Sequence, residues 1–139
     1  AVAEAARLAP DLPLFAGGKS FGGRLTSTAQ AQGTMPDVRG LVFLGFPLHA
    51  PKRPSTERAG HLDSVRIPML FLQGTRDDLA DVGLIREVTR RLGRRATLQI
   101  VEGGNHSFDL PKSKGRSRTD VLAELAGAIA HWCDGTGRD

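Results

Sequence analysis

Three side chains with the chemistry for acyl transfer follow apolar runs at wide spacing along the chain: Ser20, Asp77 and His106. A serine hydroxyl is a weak nucleophile and needs a base within hydrogen-bond reach. Histidine can take that proton near neutral pH, and a carboxylate behind it fixes the tautomer and steadies the imidazolium that forms. Ser20 sits in Gly18-Lys19-Ser20-Phe21-Gly22, with Leu14 to Ala16 before it and a helix-compatible segment after it. A strand, a sharp turn and a helix form the setting that lifts a serine clear of its neighbours. Glycines two places either side remove side chains that would clash there, so Gly18 and Gly22 are expected to serve the turn, with Gly23 adding room.

Two other readings compete for the same residues. Gly-Lys-Ser also ends a phosphate-binding loop, but that motif needs a glycine five places before the Gly-Lys pair, and Pro13 stands there. A glycine-rich turn without chemistry is the other, because a chain with 17 glycines meets the five-residue pattern by chance. The acid and the base have rivals too. Asp78 and Asp81 lie beside Asp77, which comes first after its strand. His49, His61 and His131 compete with His106. His61 is expected on a short exposed helix and His131 on the last helix, at the surface or in packing. His49 lies near a strand end and can line a pocket, but it precedes the acid. Phe46, Pro47 and Leu48 suit an apolar pocket wall and suit plain packing equally well.

Residues 1–8 predict a helix stopped by Pro10, and residues 13–16 a short strand. Residues 21–32 read as a helix broken by Gly33 and Pro36. Residues 39–46, 67–73 and 96–101 are apolar runs without alternation, as in strands covered on both faces of a parallel sheet. Residues 47–54 are loop, and 56–64 hold a short helix. Residues 81–92 form an amphipathic helix with Val82, Leu84, Ile85, Val88 and Leu92 inward and Gly93 as its stop. After a loop over 103–115, Thr119 caps a helix reaching Cys133, with Val121, Leu122, Leu125, Ile129 and Trp132 inward. The tail from Asp134 is expected to fray. Strands alternating with helices predict an α/β fold on a parallel sheet, whose sites form at the carboxyl ends of the strands. Ser20, the segment Phe46 to His49, Asp77 and His106 all fall there.

The chain of 139 residues, 40% hydrophobic and 24% charged, suits one domain. Its net charge of +4 comes largely from Arg90, Arg91, Arg94 and Arg95 at a helix end and from Lys112, Lys114, Arg116 and Arg118 in a loop. Aromatics make up 5% with no tyrosine, a poor supply for base stacking, so no nucleic-acid partner is expected. No apolar run approaches the ~18 residues of a membrane span, and no leader is visible, although the first residue is alanine. Cys133, alone, excludes an internal disulfide and a cysteine-based metal cluster, and fits a reducing, cytoplasmic setting.

Taken together, Gly18-Lys19-Ser20-Phe21-Gly22, Leu44 to His49, Pro68 to Asp77 and Gly104-Asn105-His106 resemble the dienelactone-hydrolase-like branch of the alpha/beta-hydrolases. The likeness is greatest to a small group that includes alpha/beta-hydrolase-like domains of some chromatin-complex subunits. The resemblance covers nearly the whole chain. It implies Ser20 as nucleophile, Asp77 as orienting acid, His106 as base, and the Phe21 backbone N–H as one oxyanion-hole donor. It implies hydrolysis of an ester, thioester or related small-molecule acyl bond through an acyl-enzyme, with no metal or organic cofactor. Its chromatin-associated members also make a non-catalytic interaction module a possible role. The family fold has further strands before the elbow strand, and the other oxyanion donor comes from one of their loops. The chain therefore reads as the carboxyl-terminal part of the fold. Residues 14–18 would then lie on an open sheet edge, where unpaired backbone groups favour self-association.

Overall fold

The computed structural model describes residues 1–136. Helix α1 (Val2–Leu8) leads to strand β1 (Leu14–Lys19), helix α2 (Phe21–Ala31) and strand β2 (Val38–Leu44). A 3₁₀ segment, Glu57–Ser64, precedes strand β3 (Met69–Gly74), helix α3 (Val82–Leu92), strand β4 (Ala96–Val101) and helix α4 (Arg118–Thr136). The four strands form one parallel sheet in the order β1-β2-β3-β4. This is the α/β architecture that the apolar runs imply.

The boundaries differ from expectation for reasons visible in the backbone. β1 continues through Gly17 and Gly18 to Lys19 because it stays in register with Val42, Phe43 and Leu44. β2 stops at Leu44 because Gly45 turns the chain at φ 69°. β3 starts only at Met69: Pro68 has no N–H to give, although its carbonyl accepts from the Leu41 N–H at 2.9 Å. The segment 57–64 is 3₁₀ rather than α.

Two apolar layers sandwich the sheet. Leu41, Phe43, Met69 and Phe71 face α3, where Ile85, Val88 and Leu92 are buried against them. Val42, Leu70 and Leu72 face α4 through Val121 and Leu125. Alternation along β2 and β3 thus loads both faces, which is why these strands read as unbroken apolar runs. Leu122 departs from the expected inward set: one residue on from Val121, it lies off that stripe and is 51% exposed. Ser117, not Thr119, caps α4. Its hydroxyl accepts from the Asp120 N–H, and the Asp120 carboxylate accepts from the Ser117 N–H, a reciprocal cap. Residues 134–136 continue α4 instead of fraying, and the rest of the expected tail lies outside the described residues.

Among the described residues β1 pairs only with β2, and it has no fully buried residue, whereas every residue of β3 is buried. The strand that leads into Ser20 is therefore a sheet edge among the described residues.

Candidate active site

Ser20 joins β1 to α2 with φ 52° and ψ −125°, a conformation that L-residues avoid. Strain of this kind costs on the order of 1–3 kcal/mol and persists only where the surroundings enforce it. The enforcement is close backbone packing between β1 and α2. A Cβ on Gly18 would stand 2.8 Å from Gly22 C and Gly23 N, and one on Gly23 would stand 2.7 Å from Gly18 O. The pair that permits the turn is thus Gly18 and Gly23. Gly22, which the five-residue pattern singles out, has open space where its Cβ would be.

The exits of β3 and β4 are pressed together in the same way. A Cβ on Gly74 would lie 2.1 Å from Gly104 O, and the Arg76 N–H donates to that carbonyl at 2.8 Å. This contact brings the loop bearing Asp77 against the loop bearing His106. The second loop is tied by Asn105, whose side-chain oxygen accepts from the N–H groups of Ser107 at 2.9 Å and Asp109 at 3.0 Å.

The three side chains meet at the carboxyl end of the sheet. His106 Nε2 lies 2.7 Å from Ser20 Oγ. His106 Nδ1 lies 2.8 Å from Asp77 Oδ2 and 2.9 Å from Oδ1. An acceptor carboxylate at Nδ1 fixes the proton there and leaves Nε2 as a lone pair facing the serine hydroxyl. The Asp77 side chain is fully buried and the His106 side chain is 24% exposed.

The carboxylate has two further donors. The Leu79 N–H gives to Oδ1 at 2.8 Å, and Gln73 Nε2 gives to Oδ2 at 2.9 Å. Gln73 is itself fully buried, and its oxygen accepts from the Phe46 N–H at 2.9 Å. Gln73 holds the Asp77 carboxylate and escaped the sequence reading. Its signal was there: one amide inside Met69-Leu70-Phe71-Leu72-Gln73 must find buried partners.

The rivals have other occupations. Asp81 caps α3 by accepting from the Leu84 N–H at 3.0 Å, and Asp78 is exposed. His49 Nε2 accepts from the Asp81 N–H at 2.9 Å, so its Nδ1 carries the proton and donates to Ala50 O at 2.8 Å. It fastens the β2 exit to the start of α3 and is 4% exposed. His61 is half-buried, not on an exposed helix. It lies 2.7 Å from Ser27 Oγ and stacks over Phe46. Burial, and then the Arg24 charge, push its pKa below the ordinary value. The Ser27 hydroxyl is fully buried and donates to Arg24 O, so this second Ser–His contact is a tie between α2 and the 3₁₀ segment. His131 is exposed on α4.

Phe46 and Leu48 are fully buried and Pro47 is buried. Phe46 packs on Phe43 and Phe71 at ring-centroid distances of 5.2 and 5.9 Å. All three are thus buried in packing and none presents a wall to solvent. Phe21 opens α2, so its N–H is one of the free donors at that helix start, while its ring is 60% exposed. Among the described residues, no three His, Cys, Asp or Glu side chains converge as a metal site would require.

Residues 1–134 match a family model described as an alpha/beta hydrolase domain. Solved structures share the architecture at low identity. An a/b serine hydrolase without lid from Xanthomonas campestris aligns at a TM-score of 0.62 and 23% identity, over 96% of this chain and 53% of that one. The esterase domain of a Rhodothermus marinus protein aligns at 0.65 and 15%, over 93% and 65% respectively. Esterase 2 of Thermogutta terrifontis aligns at 0.66 and 16%, over 88% and 55%. The chain thus spans between about half and two thirds of the length of these three structures.

Proposed function

We propose that this chain, which belongs to the alpha/beta hydrolase domain family, carries the nucleophile, base and acid of a serine hydrolase acting on an ester, thioester or related acyl bond. The observation that carries this reading is the hydrogen-bonded run from Asp77 through His106 to Ser20. Ser20 Oγ attacks the acyl carbon while His106 Nε2 takes its proton, and Asp77 steadies the imidazolium. The Phe21 N–H donates to the oxyanion of the tetrahedral intermediate. His106 returns the proton to the departing alcohol or thiol, leaving an acyl group on Ser20. Water, deprotonated by the same imidazole, then releases the acid.

The backbone strain at Ser20 weighs against a purely non-catalytic interaction module. A scaffold gains nothing from a serine held at φ 52°, at a cost on the order of 1–3 kcal/mol. Release of p-nitrophenol from short-chain esters by the full-length polypeptide tests the reading. Ser20→Ala and His106→Ala should each lower kcat by several orders of magnitude, up to about 10⁶. Wild-type turnover in either variant would refute it.

The uncovered edge of β1 supports self-association of the 139-residue chain, helped by the exposed apolar side chains Leu8, Leu12, Phe21 and Leu25. A stable monomer in sedimentation at low micromolar concentration would contradict this.

A further inference from the structure

At the end of the sheet away from Ser20, the chain holds a cleft of about 800 Å³. It opens where β2, β3 and β4 begin, and α4 closes one side. Its lining is sorted by chemistry. Ile67, Pro68 and Trp132 supply apolar surface, while Arg39, Arg94 and His131 supply the titratable groups. No carboxylate lines it among the described residues.

The pairing of nearby arginines sharpens the point. Arg91 binds the Asp63 carboxylate, and Arg95 donates to the carbonyls of Asp63 and Val65. Arg94, between them in sequence, has no side-chain hydrogen bond or ion pair among the described residues, and neither has Arg39. Both arginines line one cleft, and among the described residues no carboxylate lines it with them. A guanidinium presents a planar fork of donors that matches the oxygens of a phosphate, phosphonate or carboxylate. Beside an indole and aliphatic side chains, such a pair selects a ligand with an anionic head and an apolar body.

We propose that this cleft is a second binding site, separate from Ser20, for a small organic oxyanion: Arg39 and Arg94 hold the anionic head, and Trp132 and Ile67 cover its apolar part. The site neither needs nor supports the hydrolase reading. It stands on a different set of residues at the opposite strand ends.

Trp132 is the only tryptophan and the chain has no tyrosine, so its indole emission comes from one residue, and that residue lines the cleft. Phenylphosphonate, which a hydrolase cannot cleave, is the probe. Titration into the 139-residue chain should give a saturable change in Trp132 emission. Inorganic phosphate and benzyl alcohol, each carrying one half of the ligand chemistry, should bind at least about tenfold more weakly. Arg39→Gln and Arg94→Gln, both at exposed positions, should each weaken phenylphosphonate by about tenfold or more while leaving the circular dichroism spectrum unchanged. Phosphorus NMR line broadening of the probe provides a readout that does not depend on the indole. No saturable response in either measurement would overturn the proposal, as would equal binding by the Arg39→Gln/Arg94→Gln double variant. Preference for benzyl alcohol over phenylphosphonate would also overturn it, by showing an apolar crevice without anion recognition.

Discussion

Replacing Gln73 separates support of the acid from support of the fold. Gln73→Leu keeps a similar volume and deletes both hydrogen bonds of the amide. Toward Asp77 it removes a bond to a buried carboxylate, worth about 1.5–3 kcal/mol. Toward the sheet it leaves the Phe46 N–H without its partner, at about 1–3 kcal/mol. Loss of stability of about 2.5–6 kcal/mol follows, and with it a fall in Tm of about 10 °C or more. Turnover should suffer less than in an acid variant, because Asp77 keeps its charge and its bond from the Leu79 N–H. A fall of about 10–100-fold in kcat is expected, equivalent to about 1.4–2.8 kcal/mol of barrier. KM should hold, since Gln73 is 0% exposed and cannot touch a substrate. Gln73→Glu isolates one end of the amide. It retains an acceptor for the Phe46 N–H but turns an oxygen toward Asp77, so kcat should drop at least as far. The assay is steady-state ester hydrolysis by the full-length polypeptide, well below both melting transitions and normalised by active-site titration. Wild-type kcat in both variants, alongside a lowered Tm, would show that Gln73 only holds the fold.

Other perturbations give sharper contrasts. Asp77→Asn should lower kcat by up to about 10⁴, whereas Asp78→Asn, at an exposed carboxylate, should leave it within about twofold. Gly23→Ala drives a Cβ to 2.7 Å from Gly18 O and should destabilise by about 1–3 kcal/mol in denaturant titration; Gly22→Ala meets open space and should stabilise α2 by about 0.5–1 kcal/mol. His61 is held below its ordinary value of 6.5 by burial and by Arg24, so the unfolded chain takes up its proton first. Stability should therefore be full above that value and decline as pH falls below it, and His61→Gln should flatten that part of a urea-unfolding profile between about pH 5 and 7.5.

Much of this architecture is legible in the residues, because its signals are local. Apolar runs mark the buried strands β2 and β3, the spacing of Ile85, Val88 and Leu92 marks the inward face of α3, and Gly18 marks the turn before Ser20. Asp77 and His106 could be ranked above their rivals by their position after a strand. What escaped depends on contacts between distant segments. The five-residue pattern points to Gly22, but the close approach falls on Gly23, because the angle at which α2 leaves the turn decides which residue faces Gly18. Phe46 and Leu48 suited pocket and core equally, and only the rings of Phe43 and Phe71 around Phe46 settle its side chain into the core. His61 looked exposed because its partner, Ser27, lies 34 residues away on another helix. Leu122 looked inward because an alanine-rich helix offers few polar residues to mark its outer face.

The central claim is that Ser20 is the nucleophile, and mass spectrometry after exposure to a fluorophosphonate tests it most directly. The full-length polypeptide should gain a single phosphonyl group, and peptide mapping should place it on Ser20. Ser20→Ala should gain none, and His106→Ala should react slower by several orders of magnitude, since the hydroxyl then lacks its base. An adduct on any other serine, or undiminished labelling of Ser20→Ala, would contradict the account.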